Sequence, residues 1–384
     1  MSYRLFIVAG ESSGDLHGFG LVRALREREP SISVAGLGGP LMASEGVRIV
    51  QDVTAHAAVG ISEAVAALRT VRAAYVQMVR LLDHERPDAV VLIDYPEFNL
   101  RFARQASRRG IPVVYYISPQ LWAWREWRIR SMKRYVDRIL VILPFERDFY
   151  EAHGVEATFV GHPLLDVLKD YRHGRRFADQ LGFPKDTFIL GLLPGSRRKE
   201  IEGLLPVMLA AAERISESIS PLAVGIAPAP SVPTEQYRTW QSLTSLPLHL
   251  VPGKAYELMA AADLLLVASG TATLEAGIIG TPMIVTYKLS ALTWLLAKLL
   301  VRNVRYCSLT NLVADRALVP ELLQHDVTPE RIAEVALSLT TGGRLDAMAE
   351  ELAHEVRPRL GGHGASGRAA DEILDLLRWS PPNA

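Results

Sequence analysis

The chain has 384 residues, of which 49% are hydrophobic, and this is enough apolar material for two packed domains. Lysine plus arginine and aspartate plus glutamate both number 42, so no net positive field recruits nucleic acid, and we expect no nucleic-acid partner. The single cysteine, Cys307, excludes a disulfide framework and indicates a reducing compartment. The sequence shows no signal peptide and no run of about 20 apolar residues, so we predict a cytoplasmic protein without a spanning helix.

The first half of the chain alternates short apolar runs with longer amphipathic stretches. This alternation predicts parallel strands joined by helices that cover both faces of one sheet. The predicted strands are RLFIVA (4–9), ISVAGL (32–37), AVVLI (89–93), PVVYYI (112–117) and RILVIL (138–143), and the predicted helices lie near 14–28, 62–85, 98–109, 125–134 and 144–152.

The second half repeats this scheme and ends in a mostly helical segment that finishes near Arg378. Its predicted strands are TFILGLL (187–193), LAVGIA (222–227), LHLV (248–251), LLLVA (264–268) and MIVTY (283–287), and its predicted helices lie near 198–217, 233–243, 254–262, 271–279 and 290–301. A second parallel sheet with helices on both faces is therefore expected.

The boundary between the halves is predicted after FVGHPLLD (159–166), where a polar stretch begins. We therefore predict an α/β fold of two doubly wound, Rossmann-like domains, 1–166 and 167–384, that face each other across a cleft. This is the glycosyltransferase-B architecture, and the helical tail is expected to pack back on the N-terminal domain or on a partner subunit. Ligands of open α/β sheets bind beyond the carboxyl ends of the strands, so the loops after the apolar runs are the candidate sites.

The first of these loops, GESSGD, has the glycines of a phosphate-binding turn but the wrong charge. An apolar strand meets Gly10, a second glycine follows at Gly14, and helical sequence begins. Backbone N–H groups and the helix dipole at such a turn favour an anion, whereas Glu11 and Asp15 repel one. We predict that the loop contacts sugar hydroxyls, that Gly10 permits their close approach, and that Asp15 either joins in or only complements the dipole.

The loop PGSR in the second half has the features of a diphosphate site. Gly195 permits close approach of the backbone, and Arg197 adds positive charge. Ser196 is a favoured N-cap, and Glu200 stands where it can reach back to the cap. A helix N-terminus with an arginine binds phosphate well, and an ordinary capped helix with solvated arginines is the alternative.

A second small-residue turn, SGTATLE, follows the LLLVA strand. Ser269, Gly270 and Thr271 enter a helix, and Glu275 lies one turn further along the same face. The turn can hold phosphate while Glu275 holds ribose hydroxyls; alternatively, this is a helix cap with a glutamate that complements the dipole. Two such turns in one domain favour a nucleoside diphosphate.

The loop DYPEFN in the first half places a carboxylate at the end of a strand. Asp94 can act there as a general base, or it can be a turn aspartate that bonds its own backbone. Asn99 is predicted to cap the helix that follows.

The stretch SPQLWAWREWR has three tryptophans in six residues, Trp122, Trp124 and Trp127, next to a basic cluster. Aromatic rings can stack on sugars or acyl chains, and the basic residues can hold a substrate phosphate or lipid headgroups. A buried domain interface with a solvated basic face is the alternative. The basic residues are Arg125, Arg128, Arg130, Lys133 and Arg134.

These loops together closely resemble the lipid A disaccharide synthase family. The matching stretches include VAGESSGDLHG, DYPEFN, YYISPQLWAWR, VGHPL, LLPGSR, ASGTATLE and SLTNLVADRALVPELLQ, and they span residues 7 to about 324 in the family's order. DYPEFN and SPQLWAWR are specific to the family, whereas PGSR and SGTATLE alone indicate only the broad superfamily of sugar-nucleotide enzymes.

The resemblance implies a reaction and its partners. An inverting glycosyltransferase would transfer 2,3-diacylglucosamine from UDP-2,3-diacylglucosamine to the 6-hydroxyl of 2,3-diacylglucosamine 1-phosphate, without a metal or other cofactor. The family also implies peripheral association with the bacterial inner membrane, and homodimers. Here the stretch at 65–78, VAALRTVRAAYVQM, is rich in alanine, so we expect weaker membrane attachment that depends on arginine.

Roles follow for the residues that match the family's motifs. Asp94 is the predicted base, with Glu11 as its competitor, and Arg197 stabilises the leaving UDP. The predicted donor contacts are Gly195, Ser196, Arg197, Ser269, Gly270, Thr271, Glu275 and Asn311, and the predicted acceptor contacts are Gly10, Ser13, Asn99, Trp122 and Arg125.

Two other functions are open from the sequence. An enzyme of the same fold, such as a UDP-N-acetylglucosamine 2-epimerase, would need no lipid acceptor, and it would leave the tryptophan-rich loop without a purpose. A non-catalytic, two-lobed binding protein is usually exported and would not need two diphosphate-type turns in one lobe.

Overall fold

A computed structural model describes residues 3–52, 61–229, 232–288 and 305–379. The chain divides into two units, Met1–Asp166 with Leu360–Ala384, and Val167–Arg359. The first unit is therefore discontinuous, because the chain returns to it after the second unit has been completed.

The first unit is built on a parallel sheet of seven strands in the order β3-β2-β1-β4-β5-β6-β7. Its central strands are continuous buried apolar runs, as is expected where helices cover both faces. The strands are β1 Arg4–Ala9, β2 Ser33–Gly38, β3 Arg48–Asp52, β4 Ala89–Ile93, β5 Val113–Tyr116, β6 Arg138–Val141 and β7 Thr158–Phe159.

Helices connect these strands, and their buried side chains pack on the sheet around Phe6, Leu92, Phe102 and Tyr115. Their bounds are α1 Ser12–Arg28, α2 Pro40–Ser44, α3 Ile61–Glu85, α4 Pro96–Ser107, α5 Ile129–Tyr135 (preceded by a 3-10 turn, Glu126–Arg128), α6 Pro144–Ala152 and α7 Leu164–Val167, which crosses the boundary between the units.

The second unit contains a parallel sheet of six strands in the order β10-β9-β8-β11-β12-β13. The strands are β8 Phe188–Leu193, β9 Leu222–Ile226, β10 Leu248–Leu250, β11 Leu264–Ala268, β12 Met283–Tyr287 and β13 Glu321–Leu323. The helices are α8 Arg198–Ser216, α9 Thr234–Gln241, α10 Ala255–Ala261, α11 Thr271–Ile279, α12 Leu309–Ala314, α13 Pro329–Leu339 and α14 Arg344–Arg359.

The last helix, α15 Ala365–Trp379, belongs to the first unit and packs on α1. Arg28 of α1 pairs with Asp371 at 2.5 Å, and Arg138 of β6 pairs with Glu372 at 2.5 Å. The buried face of α15 includes Ile373, so apolar packing and the two ion pairs hold the helix in place. Across the described ranges, no helix combines the length and the hydropathy that crossing a bilayer requires.

The described elements include nearly all the predicted ones. The short helices α2 and α7 were not predicted, and the strands that were missed lie at the edges of the sheets. The predicted helix at 290–301 lies outside the described residues. Three strands were missed, namely β3, β7 and β13, and each is the last strand at one edge of a sheet. Edge strands are short and partly solvated, so they lack the long apolar run that revealed the others.

Candidate active site

Four of the predicted site loops lie at the topological switch points of the two sheets. In the first sheet β1 and β4 are neighbours, with Ala9 opposite Ile93, so GESSGD and DYPEFN begin side by side. In the second sheet β8 and β11 are neighbours, with Leu193 opposite Val267, so PGSR and SGTATLE also begin side by side. Such positions are where open α/β sheets bind ligands. We call the first pair of loops the acidic site and the second pair the glycine–arginine site.

Asp94 occupies an unusual turn in the acidic site. Asp94 and Tyr95 have φ angles of 44° and 46°, so two consecutive residues other than glycine are left-handed. Each costs on the order of 1 kcal/mol relative to an ordinary conformation. The turn ends β4 abruptly and lets α4 begin at Pro96. The surrounding structure therefore has to hold this conformation.

The carboxyl group of Asp94 has a perturbed pKa. Burial, and then the neighbouring negative charge of Glu11, raise the pKa of Asp94 to about 6, while the backbone N–H of Tyr95 opposes the rise. The group is still mostly ionised at neutral pH, and it is a stronger proton acceptor than an ordinary aspartate. A carboxylate with these properties at the end of a strand has the chemistry of a general base.

Gly10 is required for a reason that differs from the predicted one. A Cβ at position 10 would lie 2.2 Å from Cδ1 of Tyr95, so the tyrosine ring occupies the space that we assigned to a sugar. The contact fixes the start of the GESSGD loop against the Asp94 turn. Glu11 and Ser13, which follow, are exposed and remain candidates for contact with a ligand.

The carboxylate of Asp15 is engaged by backbone N–H groups and does not face the loop's surface. It is buried and accepts hydrogen bonds from the backbone N–H groups of Gly39, Leu41 and Met42, at 2.8, 3.0 and 3.0 Å. These are the free N–H groups at the start of α2, which an acid stabilises. Asp15 is therefore the cap of α2, and Glu11 is the exposed acid of the loop.

Asn99 neither caps a helix nor reaches the surface, so both parts of its prediction are wrong. Helix α4 begins at Pro96 after Tyr95, and Asn99 lies inside its first turns with a fully buried side chain. Its Nδ2 group donates to the carbonyl oxygens of Asp94 at 2.7 Å and of Ile93 at 3.2 Å. A side chain that is buried and engaged in this way does not face the acceptor.

The tryptophan-rich loop is bound to the DYPEFN loop by ion pairs. Glu97 of α4 pairs with Arg125 and with Arg128, the latter at 2.6 Å, and both arginines hold the pKa of Glu97 below its usual value. The guanidinium of Arg125 also stacks on Trp124 at 4.2 Å from the ring centroid. The two motifs that most resemble the family thus form one surface, and Arg125 contributes to its shape.

Glu146 was missed by the sequence analysis and lies beneath this loop. Its buried carboxylate accepts hydrogen bonds from Trp122 Nε1 at 3.2 Å and from the N–H groups of Ile142 and Leu143. Burial is the main cause that raises its pKa to about 7. The indole of Trp122, packed edge-on against Phe145, is therefore fixed in position. The sequence signal that could have found Glu146 is its place in LPFE (143–146), as a glutamate three residues into a helix that begins with proline.

The N-cap of α8 at the glycine–arginine site is not the predicted residue. Arg197, and not Ser196 as predicted, is the N-cap of α8. Glu200 reaches back as expected, and its Oε2 accepts from the N–H groups of Ser196 and Arg197 at 3.2 Å each. Gly195 has φ 122°, and a Cβ there would lie 2.7 Å from Glu200, so only glycine fits. The Arg197 side chain is 77% exposed and can meet a ligand.

The second turn of this site brings another helix N-terminus beside the first. Gly270, with φ 153°, is the N-cap of α11, and open space surrounds its missing Cβ. The hydroxyl of Ser269 donates to the carbonyl oxygen of Cys307 at 2.9 Å, and Thr271 is exposed. Two helix N-termini with an exposed arginine can bind a diphosphate through backbone N–H groups and charge.

Glu275 lies in the second turn of this helix and is partly buried. One carboxylate oxygen accepts a hydrogen bond from the hydroxyl of Tyr256 at 3.0 Å, and burial raises the pKa of the carboxyl group. The role of Glu275 in holding ribose stays a prediction.

Asn311 supports the site from below, and its predicted contact with the donor is wrong. The side chain is fully buried and makes four hydrogen bonds, to Val319 O and Glu321 Oε1 and from the N–H groups of Leu318 and Val319. Its capacity for hydrogen bonds is exhausted. Glu321, which the sequence analysis missed, also accepts from the N–H groups of Cys307 and Ser308, so the two residues fix the segment that Ser269 contacts.

Among the described residues, no group of three or more His, Cys, Asp or Glu side chains is arranged to hold a metal ion. The arrangement instead offers one acidic switch point and one with arginine and backbone N–H groups. The first can accept a proton from a hydroxyl group, and the second can stabilise a phosphate on which negative charge develops.

The model of the family described as lipid-A-disaccharide synthetase matches residues 5–369 of this chain. The lipid-A-disaccharide synthase of Syntrophus aciditrophicus is 44% identical over 379 residues, covering 98% of both sequences. The lipid-A-disaccharide synthase of Myxococcus xanthus is 42% identical over 375 residues, covering 97% of both.

Solved structures with little sequence similarity share the fold. A UDP-N-acetylglucosamine 2-epimerase superposes with a TM-score of 0.66 at 14% identity, covering 99% of this chain and 98% of its own. CalG4, the calicheamicin glycosyltransferase, superposes with a TM-score of 0.59 at 16% identity, covering 99% of this chain and 100% of its own. The prediction of a glycosyltransferase-B fold with two parallel-sheet α/β domains and a helical C-terminal segment is confirmed.

Proposed function

Because this chain belongs to the lipid-A-disaccharide synthetase family, we propose that it is the glycosyltransferase that makes the lipid A disaccharide. The donor is UDP-2,3-diacylglucosamine, and the acceptor is 2,3-diacylglucosamine 1-phosphate. The products are the β-1,6-linked disaccharide 1-phosphate and UDP. The observation that supports the proposal most is that the two switch points differ in chemistry. The one in the first unit is acidic, and the one in the second unit has the features of a phosphate site.

The second unit binds the donor in this proposal. The diphosphate of UDP accepts hydrogen bonds from the backbone at the starts of α8 and α11, and Arg197 pairs with it. As the bond from the sugar C1 to UDP breaks, negative charge grows on the departing phosphate oxygen. Arg197 and the two helix N-termini interact most strongly with that charge, so they stabilise the transition state more than the bound donor. Glu275 is the candidate for contact with the ribose.

The first unit binds the acceptor in this proposal. Asp94 removes the proton from the 6-hydroxyl as its oxygen forms a bond to C1 on the face opposite UDP. The electron pair of the broken C1–O bond leaves with UDP. Because the attack comes from the opposite face, the configuration at C1 inverts. Glu11 is close enough to raise the pKa of Asp94 and is the alternative base. Ser13, Trp122 and Arg125 are the candidates for binding the acceptor.

The reaction is tested by mass spectrometry of the products from a defined diacyl donor and acceptor. We expect UDP and one disaccharide 1-phosphate that carries all four acyl chains. An epimerised UDP-N-acetylglucosamine, formed without an acceptor, would instead identify an epimerase. Binding of the donor without release of UDP in the presence of the acceptor would identify a binding protein.

We further propose that the enzyme works at the cytoplasmic face of the inner membrane, where acylated substrates reside. An exposed surface of α3, which we call the arginine face, is lined by Arg69, Arg72, Val76 and Arg80. These positions recur every three or four residues and lie on one side of the helix. Each arginine near an anionic membrane contributes roughly 1 kcal/mol at moderate ionic strength. Three of these four side chains carry a positive charge, so we expect charge to dominate the attachment.

Binding to vesicles is therefore expected to depend on salt. Sedimentation with anionic vesicles should show attachment at low ionic strength that falls steeply as salt rises, and neutral vesicles should bind little. Changing Arg69, Arg72 and Arg80 to glutamine should abolish most of the binding. The matched control changes three exposed arginines elsewhere, Arg331, Arg359 and Arg378, and should retain it. Tight binding that ignores salt would contradict the electrostatic attachment.

We also propose that the enzyme can form homodimers, as the family resemblance implies. Helix α15 covers α1 of its own unit, so a dimer that exchanges this helix would have to replace the Arg28–Asp371 pair with the same pair between subunits.

A further inference from the structure

Two buried side chains donate hydrogen bonds to the same backbone atom, the carbonyl oxygen of Asp94. Asn99 Nδ2 and the hydroxyl of Tyr115 each lie 2.7 Å from this oxygen. Asn99 comes from α4, and Tyr115 comes from β5, the strand next to β4 in the sheet, where it stands opposite Leu92. Both side chains are fully buried, so water does not compete for the oxygen.

These bonds act on both peptide planes that flank the α-carbon of Asp94. The carbonyl of Ile93 belongs to the plane before it and accepts from Asn99 Nδ2 at 3.2 Å, while the carbonyl of Asp94 belongs to the plane after it. The N–H of Asp94 donates to Ile117 O at 3.1 Å and fixes the first plane again. The two planes determine φ and ψ of Asp94, and these angles set the direction in which its side chain leaves the backbone.

The choice of asparagine at position 99 fits this role. Its Nδ2 faces backbone carbonyls, which accept hydrogen bonds only, so the orientation of the amide is fixed by chemistry. Its Oδ1 is buried and has no hydrogen-bond partner among the described residues. An unpaired buried oxygen lowers stability, and a leucine of similar size would not have one. We therefore conclude that the position requires the Nδ2 donor group.

We infer that Asn99 and Tyr115 are positioning residues, which hold the left-handed turn of Asp94 so that its carboxylate meets the acceptor hydroxyl. The inference rests on the proposed function, in which Asp94 is the base. Neither side chain touches a substrate, and both act through the backbone of Asp94. Catalysis is sensitive to displacements of the reacting groups of about 1 Å, so loosening the turn slows the reaction more than it weakens binding.

The test removes each donor with little change in shape. Tyr115→Phe deletes one hydroxyl, and Asn99→Leu deletes the amide. The matched control is Tyr116→Phe, since Tyr116 is the next residue on β5, is equally buried, and lies on the opposite face of the sheet beside Ser366. We expect kcat to fall about tenfold to a hundredfold for Tyr115→Phe and Asn99→Leu, with KM for the acceptor and the affinity for UDP changed by less than about threefold. Tyr116→Phe should keep kcat within about twofold.

The pH dependence separates positioning from plain stability. Burial is the main cause that raises the pKa of Asp94 to about 6, so a loosened, better solvated carboxylate should titrate at a lower pH. The acid limb of kcat/KM should therefore move to lower pH in Tyr115→Phe, and it should not move in Tyr116→Phe. The charged groups near Asp94 are Glu11 and Glu146, and both remain in all three variants.

The outcomes distinguish this inference from the proposed function. If Asp94→Asn abolishes turnover but Tyr115→Phe behaves as Tyr116→Phe does, the positioning role is overturned and the function stands. If Asp94→Asn keeps turnover, the base assignment itself is wrong. If Tyr115→Phe lowers kcat only in proportion to a loss of folded first unit, seen as an equal loss of acceptor-binding sites, the role is structural. Tyr115→Phe decides the matter even if Asn99→Leu does not fold.

Discussion

Asp94→Asn is expected to lower kcat by at least about two orders of magnitude and to leave the affinity for UDP unchanged. An amide has no basic oxygen at neutral pH, so it cannot take the proton of the acceptor hydroxyl. Its Oδ1 can still accept the hydrogen bond from the Tyr95 N–H, so the turn should persist. UDP binding, measured by calorimetry, reports on the second unit, and acceptor binding, measured in the same way, reports whether the first unit of the variant is folded.

The matched control for this variant is Asp88→Asn. Asp88 precedes the same strand at its other end, where its carboxylate accepts from the N–H of Arg4 at 2.7 Å. This change removes an equal charge far from the acidic site, and kcat should stay within about twofold. Near-normal turnover in Asp94→Asn would remove Asp94 as the base, and Glu11 would then be the first residue to test.

The wild-type pH profile provides an independent check on the same assignment. Asp94 must be ionised to accept a proton, so kcat/KM should fall about tenfold per pH unit below about 6. The charge of Glu11 helps to raise the pKa of Asp94, so Glu11→Gln should move this limb to lower pH without abolishing turnover. Glu146, with a pKa of about 7, titrates in a neighbouring range, and Glu146→Gln separates its contribution.

Arg197→Ala is expected to weaken UDP binding about tenfold or more and to lower kcat as well. A charge-assisted hydrogen bond contributes roughly 1.5–3 kcal/mol, and each 1.4 kcal/mol changes the affinity tenfold. The effect extends to kcat because the charge on the phosphate grows as the sugar departs. The ion pair of Arg197 with Glu200 is long, 3.3 Å, and its side chain is 77% exposed, so little of the fold depends on it.

The neighbouring residue supplies the control for charge. Arg198 pairs with Glu202 one turn along α8, at 2.7 Å, and Arg198→Ala removes the same charge one residue away. UDP affinity should change by less than about threefold in this control. An unchanged UDP affinity in Arg197→Ala, measured in the same way, would show that the assigned diphosphate site is wrong.

The sequence predicted the central strands and the loops that carry the site because both depend on local pattern. AVVLI is a continuous apolar run that a parallel sheet buries on both faces. Asp94 follows this run directly, so it has to lie at the carboxyl end of the strand. Strand β7 has only two residues, and β3 has polar ends, so neither has a pattern that a sequence can reveal. The carboxyl end of each strand was therefore predicted best where the strand is most buried.

The contacts within the site depend on which strands are neighbours, and periodicity does not determine that. Tyr95 fills the space above Gly10 only because β1 and β4 are adjacent. Asp15 accepts hydrogen bonds from the start of α2. Helix α2 follows β2, which lies on the side of β1 away from β4. The motifs pointed to loops that lie at the switch points of the sheets, and Asn99 and Asn311 within the motifs are buried supports. A motif match cannot distinguish a residue that touches a substrate from one that holds its neighbour.

The return of the chain to its first unit has a consequence for the order of events during synthesis. The ribosome makes α1 before the second unit and α15 after it. Until α15 emerges, the apolar surface of the first unit that Ile373 and Leu377 cover is open to solvent, and Arg28 and Arg138 lack their acidic partners. The second unit, whose residues are contiguous, can finish folding before the first, although translation begins at the other end.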